Sequence, residues 1–270
     1  MANLLVTVVI PMHNRAETIV GCLDSVCNQT HRNIDVVVVD DCSTDNSVDL
    51  VKSYNDQRVR LIQLEQKSGA QVARNRGIFE SKADWIAFND SDDLWVEDKL
   101  EIQMSELEKV NFDTNTVVHS NCICLDQINN NRTWVWELPK TNGMCYDLLL
   151  ERPAPVFPSL LTSKSALLDI GFLDEKVPSY QEWDTCIRLA KICNFIHVDK
   201  PLFTYVFHKG ETISKDHKRD VEGYLYIINK FEDDLKVKNM YESHVRRLSK
   251  RATSFSLFDE AEKILSLLES

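Results

Sequence analysis

The segment DWIAFNDSDD (residues 84–93) joins a short apolar run to three carboxylates within four positions. Residues 84–89 are typical of a buried strand, and Asp90, Asp92 and Asp93 follow at its end. Alternate residues of an extended backbone lie on the same side, so Asp90 and Asp92 should project together. Like charges this close repel one another unless a cation or hydrogen-bond donors neutralise them. Because hard oxygen ligands suit Mg²⁺ or Mn²⁺, the segment indicates either a cation site or an acidic turn that caps the next helix.

Three further strands are predicted upstream, and helix patterns alternate with them. The strands are expected over residues 5–10 (LVTVVI, stopping at Pro11), 35–39 and 59–64. The helices are expected over residues 16–27, from Ser43-Thr44-Asp45 to about Tyr54, and over residues 70–79. Continuously apolar strands that alternate with helices are typical of an α/β fold with a mainly parallel sheet and right-handed crossovers.

Residues whose side chains can bind ligands or take part in catalysis follow the ends of these strands. The first strand leads into Pro11-Met12-His13-Asn14, the second ends in Asp40-Asp41, and the fourth carries the acidic run. In parallel α/β sheets, ligands bind beyond the carboxyl ends of the strands. A random acidic surface would not gather on one edge in this way. The sequence therefore predicts a ligand site at that edge.

The composition narrows the possible functions. The 270 residues are 43% hydrophobic and 27% charged, which is typical of a globular protein with one large domain or one domain and a small appendage. A net charge of −11 argues against nonspecific binding to nucleic acid. The apolar runs are too short to span a bilayer, and the first residues lack the features of a signal peptide. We therefore expect a cytoplasmic protein.

The eight cysteines point to the same compartment. None of them forms a Cys-x-x-Cys pair, and most lie inside apolar patterns. This distribution favours free thiols over a disulfide framework or a zinc site.

Four segments, in this order along the chain, carry a resemblance to a known family: VVIPMHNRAETI, VVVVDDCSTDNS, GAQVARNRG and FNDSDDLW. They resemble the nucleotide-sugar domain of family 2 inverting glycosyltransferases with the GT-A fold. The resemblance is strong to about residue 110 and weaker through residues 170–178, 181–184 and 205–214. It implies a Rossmann-like donor half over residues 1–110, an acceptor-binding and catalytic-base half of the same domain over residues 111–219, and a helical extension over residues 220–270.

The resemblance implies donor-binding roles for several residues. Asp41 corresponds to the carboxylate that accepts a hydrogen bond from the uracil ring, with capping of the next helix as the alternative. Pro11 and His13 correspond to positions lining the uracil, although a histidine here could be a plain loop residue. The remaining candidates are Glu17, which contacts the nucleotide or faces a helix dipole, Gly69 and Arg74 beneath the donor, and Asp90 near the ribose and donor sugar.

A metal site is implied by the same resemblance. Asp92 corresponds to the ligand of a divalent ion, Mn²⁺ or Mg²⁺, that spans the two donor phosphates and stabilises the leaving group. His208 corresponds to a histidine near the metal or diphosphate, and imidazole is a natural ligand for Mn²⁺. An ordinary histidine at a strand end is the alternative. Lys209 and Ser214 are further candidates for contact with phosphate oxygens.

The general base is expected outside the donor half. Members of the family usually place Glu-Asp before a Trp-Asp helix start, and the Asp of the first pair acts as the base. This chain has Gln181-Glu182-Trp183-Asp184, so Glu182 aligns with the base and Gln181 departs from the family pattern. Asp184 is the second candidate. The alternative is an acidic helix N-terminus that complements the helix dipole.

The second half of the chain is expected to form the acceptor side. A strand over residues 117–125 leads through an Asn-rich turn into Trp134-Val135-Trp136, whose indoles either stack on sugars or lie in the core. Beyond residue 220 the pattern is helical. A basic stretch there, Arg246, Arg247, Lys250 and Arg251, could rest on an anionic leaflet of the inner membrane, but a solvated helix that packs on the core is favoured.

These features predict a metal-dependent, inverting hexosyltransferase that moves one hexose or N-acetylhexosamine from a UDP-sugar to a glycan hydroxyl. By resemblance, the product is a bacterial surface polysaccharide such as O-antigen or capsule, assembled on a polyprenyl diphosphate. The acidic run resembles that of O-antigen β-galactosyl- and glucosyltransferases. A noncatalytic nucleotide-sugar sensor is the alternative, because Gln181 departs from the family pattern. A nucleotidyltransferase is less favoured, because the first strand lacks a glycine-rich loop after it.

Overall fold

The computed structural model describes residues 3–153, 155–208 and 216–269. Its strands are β1 (Val6–Met12), β2 (Ile34–Asp40), β3 (Val59–Gln63), β4 (Trp85–Phe88), β5 (Leu94–Trp95), β6 (Thr116–Asp126), β7 (Arg132–Trp136), β8 (Leu161–Ser163) and β9 (Asn194–Phe207). Its α-helices are α1 (Ile19–Cys27), α2 (Ser47–Ser53), α3 (Ala70–Phe79), α4 (Lys99–Lys109), α5 (Tyr146–Glu151), α6 (Lys164–Asp169), α7 (Gln181–Ala190), α8 (His217–Lys230), α9 (Glu232–Val237), α10 (Tyr241–Ser254) and α11 (Phe258–Ser266). A single turn of 3₁₀ helix covers Phe157–Ser159.

The strands of the described residues form one nine-stranded sheet. Its order is β3-β2-β1-β4-β8-β6-β9-β5, and β7 pairs with β6 outside this path. The first four strands pair in parallel, as predicted. In the second half, β6 and β9 are parallel, whereas β8 runs antiparallel to β4 and β6, β7 to β6, and β5 to β9. The predicted α/β fold is confirmed, with a mixed rather than mainly parallel second half.

The path of β1 corrects one prediction. Every residue of β1 and β2 is buried, as expected of strands covered on both faces. The expected stop at Pro11 is wrong, since β1 continues to Met12 and Pro11 lies opposite Val39 of β2. The Val9 carbonyl accepts from the Asn89 amide, so Pro11, two residues on, also faces β4. Since β4 has already ended there, the missing N–H of proline costs no ladder bond.

The sheet separates two main apolar layers. One layer joins Val8 and Ile10 of β1 to α1 and α4. The other joins Val9 and Trp183 to α3 and to α5 through α11, including the helical extension. Residues before 110, between 111 and 219, and after 220 all contribute to this second layer. The predicted boundaries therefore do not separate independent cores.

The hairpin between β6 and β7 carries the two indoles, Trp134 and Trp136. Asn130 and Asn131 have φ of 58° and 53°, a left-handed conformation that asparagine tolerates and that matches the predicted turn. Trp134 and Trp136 are 40% and 42% exposed, so they lie on the surface and not in the core.

The basic stretch of α10 belongs to a helix that packs on the core. Val245 and Leu248 are fully buried, while Arg246 pairs with Glu242 and Arg251 with Asp220. This geometry agrees with the favoured alternative of a solvated, packed helix. Within the described ranges, none of the helices has the length and apolar character needed to span a membrane.

Candidate functional site

Loops from distant parts of the chain meet at the carboxyl ends of β1, β2 and β4. The backbone amide of Asn14 donates to Ser43 Oγ at 2.9 Å, which joins the loop after β1 to the loop after β2. Arg15 contacts Asp92, which joins the same loop to the acidic run. Glu17 is exposed on the turn before α1 and lies outside that helix. The predicted edge thus gathers the predicted residues, with Glu17 at its rim.

Asp41 fixes the start of α3. Its two carboxylate oxygens accept hydrogen bonds from the backbone amides of Ser68 at 2.6 Å and Gly69 at 2.8 Å. Gly69 has φ of +96° and ψ of 163°, a region that suits only glycine. The alternative role, capping α2, is not what Asp41 does here. A carboxylate has about four acceptor positions, so Asp41 keeps acceptor capacity for a ligand.

A second contact joins the loops after β1 and β3. His13 Nε2 lies 2.9 Å from Lys67 Nζ, and Nδ1 of the same ring is buried without a hydrogen-bond partner in the part of the chain that the structure describes. Pro11 is buried near the end of β1, two residues before His13. Sequence reasoning missed Lys67. Its position two residues before Gly69, in a loop after a predicted strand, was the available signal.

Arg74 connects the acidic run to the start of α7. Its guanidinium donates to Asp90 Oδ1 at 2.6 Å, to Gln71 Oε1 at 3.0 Å and to Gln181 Oε1 at 3.2 Å. It also lies 4.2 Å from the ring centre of Phe157. The side chain is buried, so the alternative of a solvated arginine is wrong. Gln181 keeps the hydrogen bond that an acidic residue could make here, without the charge.

Asp92 and His208 lie together, although 116 positions separate them. Asp92 Oδ2 is 2.9 Å from His208 Nε2 and accepts from Arg15 Nε at 3.2 Å. Carboxylate and imidazole are ligand types that suit Mn²⁺, and an ion that bridges to phosphates needs few protein ligands. In residues 3–153, 155–208 and 216–269, no group of three metal-ligating side chains is found. The pair therefore fits an ion that takes other ligands from a substrate.

Two further predicted residues, Lys209 and Ser214, lie outside the described residues. Arg15, which contacts Asp92, was not predicted, since a lone arginine after a strand gives no signal of its tertiary partner.

Asp93 has a structural role in the acidic run. Its Oδ1 accepts from the backbone amide of Val206 at 2.9 Å, which ties the end of β9 to this loop. Burial, followed by the charges of Asp90 and Asp92, raises the pKa of Asp93 well above its ordinary value. The side chain therefore anchors β9 beside the acidic run.

Glu182 lies in the first turn of α7, next to Gln181. Burial raises the pKa of Glu182 above its ordinary value; Asp90 also raises it, whereas Arg74 lowers it. Among the described residues, the Glu182 carboxylate forms no ion pair of 4.0 Å or less. The Glu182 carboxylate therefore lies near Arg74 and Asp90 but forms no ion pair among the described residues.

Asp184 is held quite differently. Its side chain is 0% exposed and forms ion pairs with Arg188 at 2.8 Å and Lys230 at 2.6 Å. Oδ1 pairs with Lys230 of α8 and Oδ2 with Arg188 of α7 itself, so the first of these contacts joins the two helices. Asp184 stays a second candidate base, although both of its proton-accepting oxygens already face cations.

A cavity of about 520 Å³ adjoins Gln181. Its walls come from the start of α3, the segment before α7 and the start of α8, including Ser68, Gln71, Pro178 and Arg219. The site therefore has open space beside the start of α7.

A family model described as Glycosyl transferase family 2 matches residues 7–154. The amylovoran biosynthesis glycosyltransferase AmsB of Erwinia amylovora is 30% identical over 234 residues, covering 79% of this chain and 75% of AmsB. The Escherichia coli enzyme WfgD, a UDP-Glc:alpha-D-GlcNAc-diphosphoundecaprenol beta-1,3-glucosyltransferase, is 32% identical over 200 residues, covering 73% of this chain and 76% of WfgD. The match to the putative teichuronic acid biosynthesis glycosyltransferase TuaG of Bacillus subtilis is 41% identical but spans 37% of this chain and 40% of TuaG.

Solved structures show the same fold. The crystal structure of S. aureus TarS 1-349 in complex with UDP-GlcNAc superposes with a TM-score of 0.64 at 15% identity, covering 98% of this chain and 91% of that chain. The TarS 1-349 complex with UDP gives a TM-score of 0.63 at 16% identity, with the same coverage. The predicted GT-A architecture is thereby confirmed.

Proposed function

Since this chain belongs to glycosyl transferase family 2, we propose that it moves one hexose or N-acetylhexosamine from a UDP-sugar, with inversion, to a hydroxyl of a lipid-linked glycan. The printed function of WfgD, with its UDP-Glc donor and diphosphoundecaprenol-linked acceptor, supports both substrate classes. The UDP and UDP-GlcNAc complexes of TarS support a UDP-sugar donor. The product would be a bacterial surface polysaccharide such as O-antigen or capsule, made at the cytoplasmic face of the inner membrane.

The donor half binds the nucleotide in this proposal. Asp41 accepts a hydrogen bond from the uracil ring while it holds the start of α3, and His13 and Pro11 line the base. Asp90, fixed by Arg74, faces the ribose and the donor sugar. Gly69 keeps the loop beneath the donor open, and Glu17 lies at the rim.

Asp92 and His208 hold a Mn²⁺ or Mg²⁺ ion in this proposal. Such an ion supplies Lewis-acid stabilisation of the diphosphate leaving group. Arg15, already on Asp92, adds a guanidinium on the same side and orients the carboxylate. The chain thereby gathers positive charge where the leaving group gains negative charge.

Glu182 acts as the general base. It takes the proton from the acceptor hydroxyl as that oxygen attacks C1 of the donor sugar from the face opposite UDP. The new C1–O bond forms while the bond from C1 to the β-phosphate oxygen breaks, and its electron pair leaves with UDP. The raised pKa makes the Glu182 carboxylate a stronger proton acceptor than an exposed glutamate.

One observation carries this proposal, the bridge made by Arg74. Arg74 binds Asp90 on the donor side and Gln181 at the start of α7, which is adjacent to Glu182 in sequence. The bridge therefore holds the base at a fixed distance from the donor-side carboxylate. It also supports an enzyme over the sensor alternative, because Gln181 accepts a hydrogen bond from Arg74 despite its departure from the family pattern.

The Glu182→Gln variant tests the base assignment. It removes the proton acceptor but keeps the side-chain size, so kcat should fall by about 10²- to 10⁴-fold while UDP affinity stays at the wild-type value. Glu242→Gln, the same change on the surface of α10, is the control and should leave kcat unchanged. Full activity in Glu182→Gln would end the base assignment.

Product formation separates the enzyme from the sensor. The assay combines purified protein, a UDP-sugar, Mn²⁺ and a glycosyl diphosphate acceptor, and it measures both UDP release and the extended glycan. UDP-sugar binding without either product across donors and acceptors would favour the noncatalytic sensor.

A further inference from the structure

Four aromatic side chains on β7 and β9 form a continuous surface, here termed the aromatic strip: Trp134, Trp136, Tyr205 and Phe207. The Trp134 and Phe207 rings stack with centroids 5.6 Å apart, and Tyr205 meets Phe207 edge-on at 5.0 Å. Trp136 and Tyr205 contact edge-on at 6.5 Å. The four rings therefore form one connected set that extends from β7, over β6, to β9.

The register of β6 explains how rings from two outer strands can meet. Cys124 of β6 lies opposite Trp134 of β7 and also opposite Tyr205 of β9. Cys122 likewise lies opposite Trp136. Because both cysteine side chains are small, the large rings on either side close over them.

The strip faces outward, which a core cluster would not do. Trp134, Trp136 and Phe207 are 40%, 42% and 37% exposed. Large apolar rings gathered on one exposed face mark a binding surface. Ring faces of this kind stack well on the C–H faces of sugars, and indoles combine that apolar face with a polar N–H.

The inner end of the strip lies at the candidate active site. The backbone of Val206, between Tyr205 and Phe207, donates to Asp93, and His208 follows directly and contacts Asp92. Burial, then the nearby carboxylates of the acidic run and Glu182, raise the pKa of Tyr205. Tyr205 thus lies near both the acidic run and the proposed base.

The hairpin tip beside the strip is polar except for Ile128, which is 44% exposed. Asp126, Arg132 and the three residues Asn129, Asn130 and Asn131 surround the turn, and Arg132 lies 5.8 Å from the Trp134 ring centre. A hairpin that enters a membrane would carry apolar residues at its tip. Amides and charged groups beside aromatic rings instead match a ligand that has both hydroxyls and apolar ring faces.

We propose that the aromatic strip is the acceptor subsite, on which the sugar rings of the glycan stack while its reactive hydroxyl lies at Glu182. This inference rests on the proposed function and deepens it, since it assigns the acceptor side. The occupant is a carbohydrate, and the sugar next to the reactive end lies against Tyr205. Sugars further from the reactive end extend over Phe207 and Trp134 toward the hairpin.

Substitutions in the hairpin test the subsite. The probe is a panel of water-soluble glycosyl diphosphates on a short alkyl chain (glucosyl, galactosyl and N-acetylglucosaminyl), and the best wild-type acceptor is used throughout. Trp134→Ala and Trp136→Ala should each raise the acceptor KM by about tenfold, the size of one lost aromatic stacking contact. The donor KM and the hydrolysis of UDP-sugar without acceptor should keep their wild-type values. Trp134→Phe should recover most of the acceptor affinity.

The matched control is Val135→Ala. Val135 lies between the two indoles, is 52% exposed and projects to the opposite face of the same strand. It should leave the acceptor KM at the wild-type value. A thermal unfolding curve for each variant shows whether the hairpin remains folded.

The outcomes that overturn the inference are distinct. Unchanged acceptor KM in both tryptophan variants would overturn it, as would an equal rise in donor KM. A defect limited to vesicle-bound acceptor, absent with the water-soluble probe, would assign the strip to the membrane instead. If the wild type neither hydrolyses donor nor transfers sugar, the proposed function fails. In that case, quenching of tryptophan fluorescence measures the binding of the same glycosyl diphosphates. Stronger quenching in the wild type than in Trp134→Ala would support the strip as a glycan-binding surface, and equal quenching would overturn it.

Discussion

Glu182 and Asp184 are two residues apart on α7, yet their surroundings give them different chemistry. Asp184 is buried and faces Arg188 and Lys230, whereas Glu182 is half-buried and has no ion-pair partner among the described residues. A carboxylate held between cations stabilises the fold. A carboxylate that is desolvated beside a cleft is suited to accept a proton.

The pH dependence of turnover follows from the raised pKa of Glu182. The base must be deprotonated to work, so activity is present above its pKa and is lost as pH falls through that value. Because burial raises this pKa, the acid limb of kcat should lie above about 4.3, the value of an unperturbed glutamate. The measurement is kcat against pH at saturating donor and acceptor.

The Glu182→Gln variant is the control for this profile. Its residual activity should lack the acid limb, because glutamine does not titrate. An acid limb at the same pH in the variant would assign that limb to another group.

Single residues show where sequence reasoning succeeded and failed at this scale. The pair Asp92 and His208 was predicted from the family resemblance and lies within 2.9 Å. Arg15 and Lys67 were missed, because their partners depend on how separate loops fold over one another. Local sequence carries the chemistry of a side chain but not the path of a neighbouring loop.

At the scale of elements, α7 is fixed to α8 by a buried charge cluster. The Asp184→Asn variant leaves Arg188 and Lys230 facing an uncharged amide in a buried place. Because Lys230 keeps its ion pair with Asp174 and Arg188 keeps its hydrogen bonds to the Ile170 and Phe172 carbonyls, the free energy of unfolding should fall by about 1–3 kcal/mol, the cost of losing hydrogen bonds to a charged group. Denaturant unfolding of the purified variant measures it.

Asp233→Asn on the exposed surface of α9 is the matched control and should change the unfolding free energy by less than about 0.5 kcal/mol. Equal stability of the two variants would mean that the cluster on α7 contributes no net stability.

The strands and helices were not equally predictable. The bounds of α3 match the prediction, and Gly69 marks its start. The helix expected from residue 16 begins at Ile19, because the amides of Thr18 and Ile19 both bond the Arg15 carbonyl in a preceding turn. The first part of β9 was missed, since residues 194–200 mix polar side chains and the ladder with β6 carries register shifts there.

At the scale of the whole molecule, ligand binding should stabilise the fold. UDP that binds the native state at 100 times its Kd adds about 2.7 kcal/mol, and Mn²⁺ with UDP should add more than UDP alone. Thermal unfolding with UDP, with Mn²⁺ and with both measures the two increments. EDTA should remove the second increment and leave the first.

The Asp92→Ala variant separates the two ligands. It should keep the increment from UDP and lose the further increment from Mn²⁺, because the proposed metal ligand is gone. If EDTA and Asp92→Ala both leave the combined increment and catalysis intact, the metal assignment fails.

The sheet as a whole was predicted only in its first half. Apolar strands that alternate with helices identified β1 to β4 and their shared ligand edge. The antiparallel insertion of β8 between β4 and β6 could not be foreseen, because a three-residue strand has too little sequence to show a period. The candidate site spans both halves, so its donor side was more predictable than its acceptor side.

The shared apolar layer of α7 and the last four helices constrains how this enzyme can diverge. Trp183, beside Glu182, packs on Tyr224 of α8 and on His244 of α10. A recombination breakpoint at residue 219 would therefore separate the proposed base from the helices on which its neighbour Trp183 packs. Chimeras between relatives should remain functional when α7 and the tail are inherited together, whereas the β6–β7 hairpin lies outside this layer and can be exchanged separately to alter the acceptor.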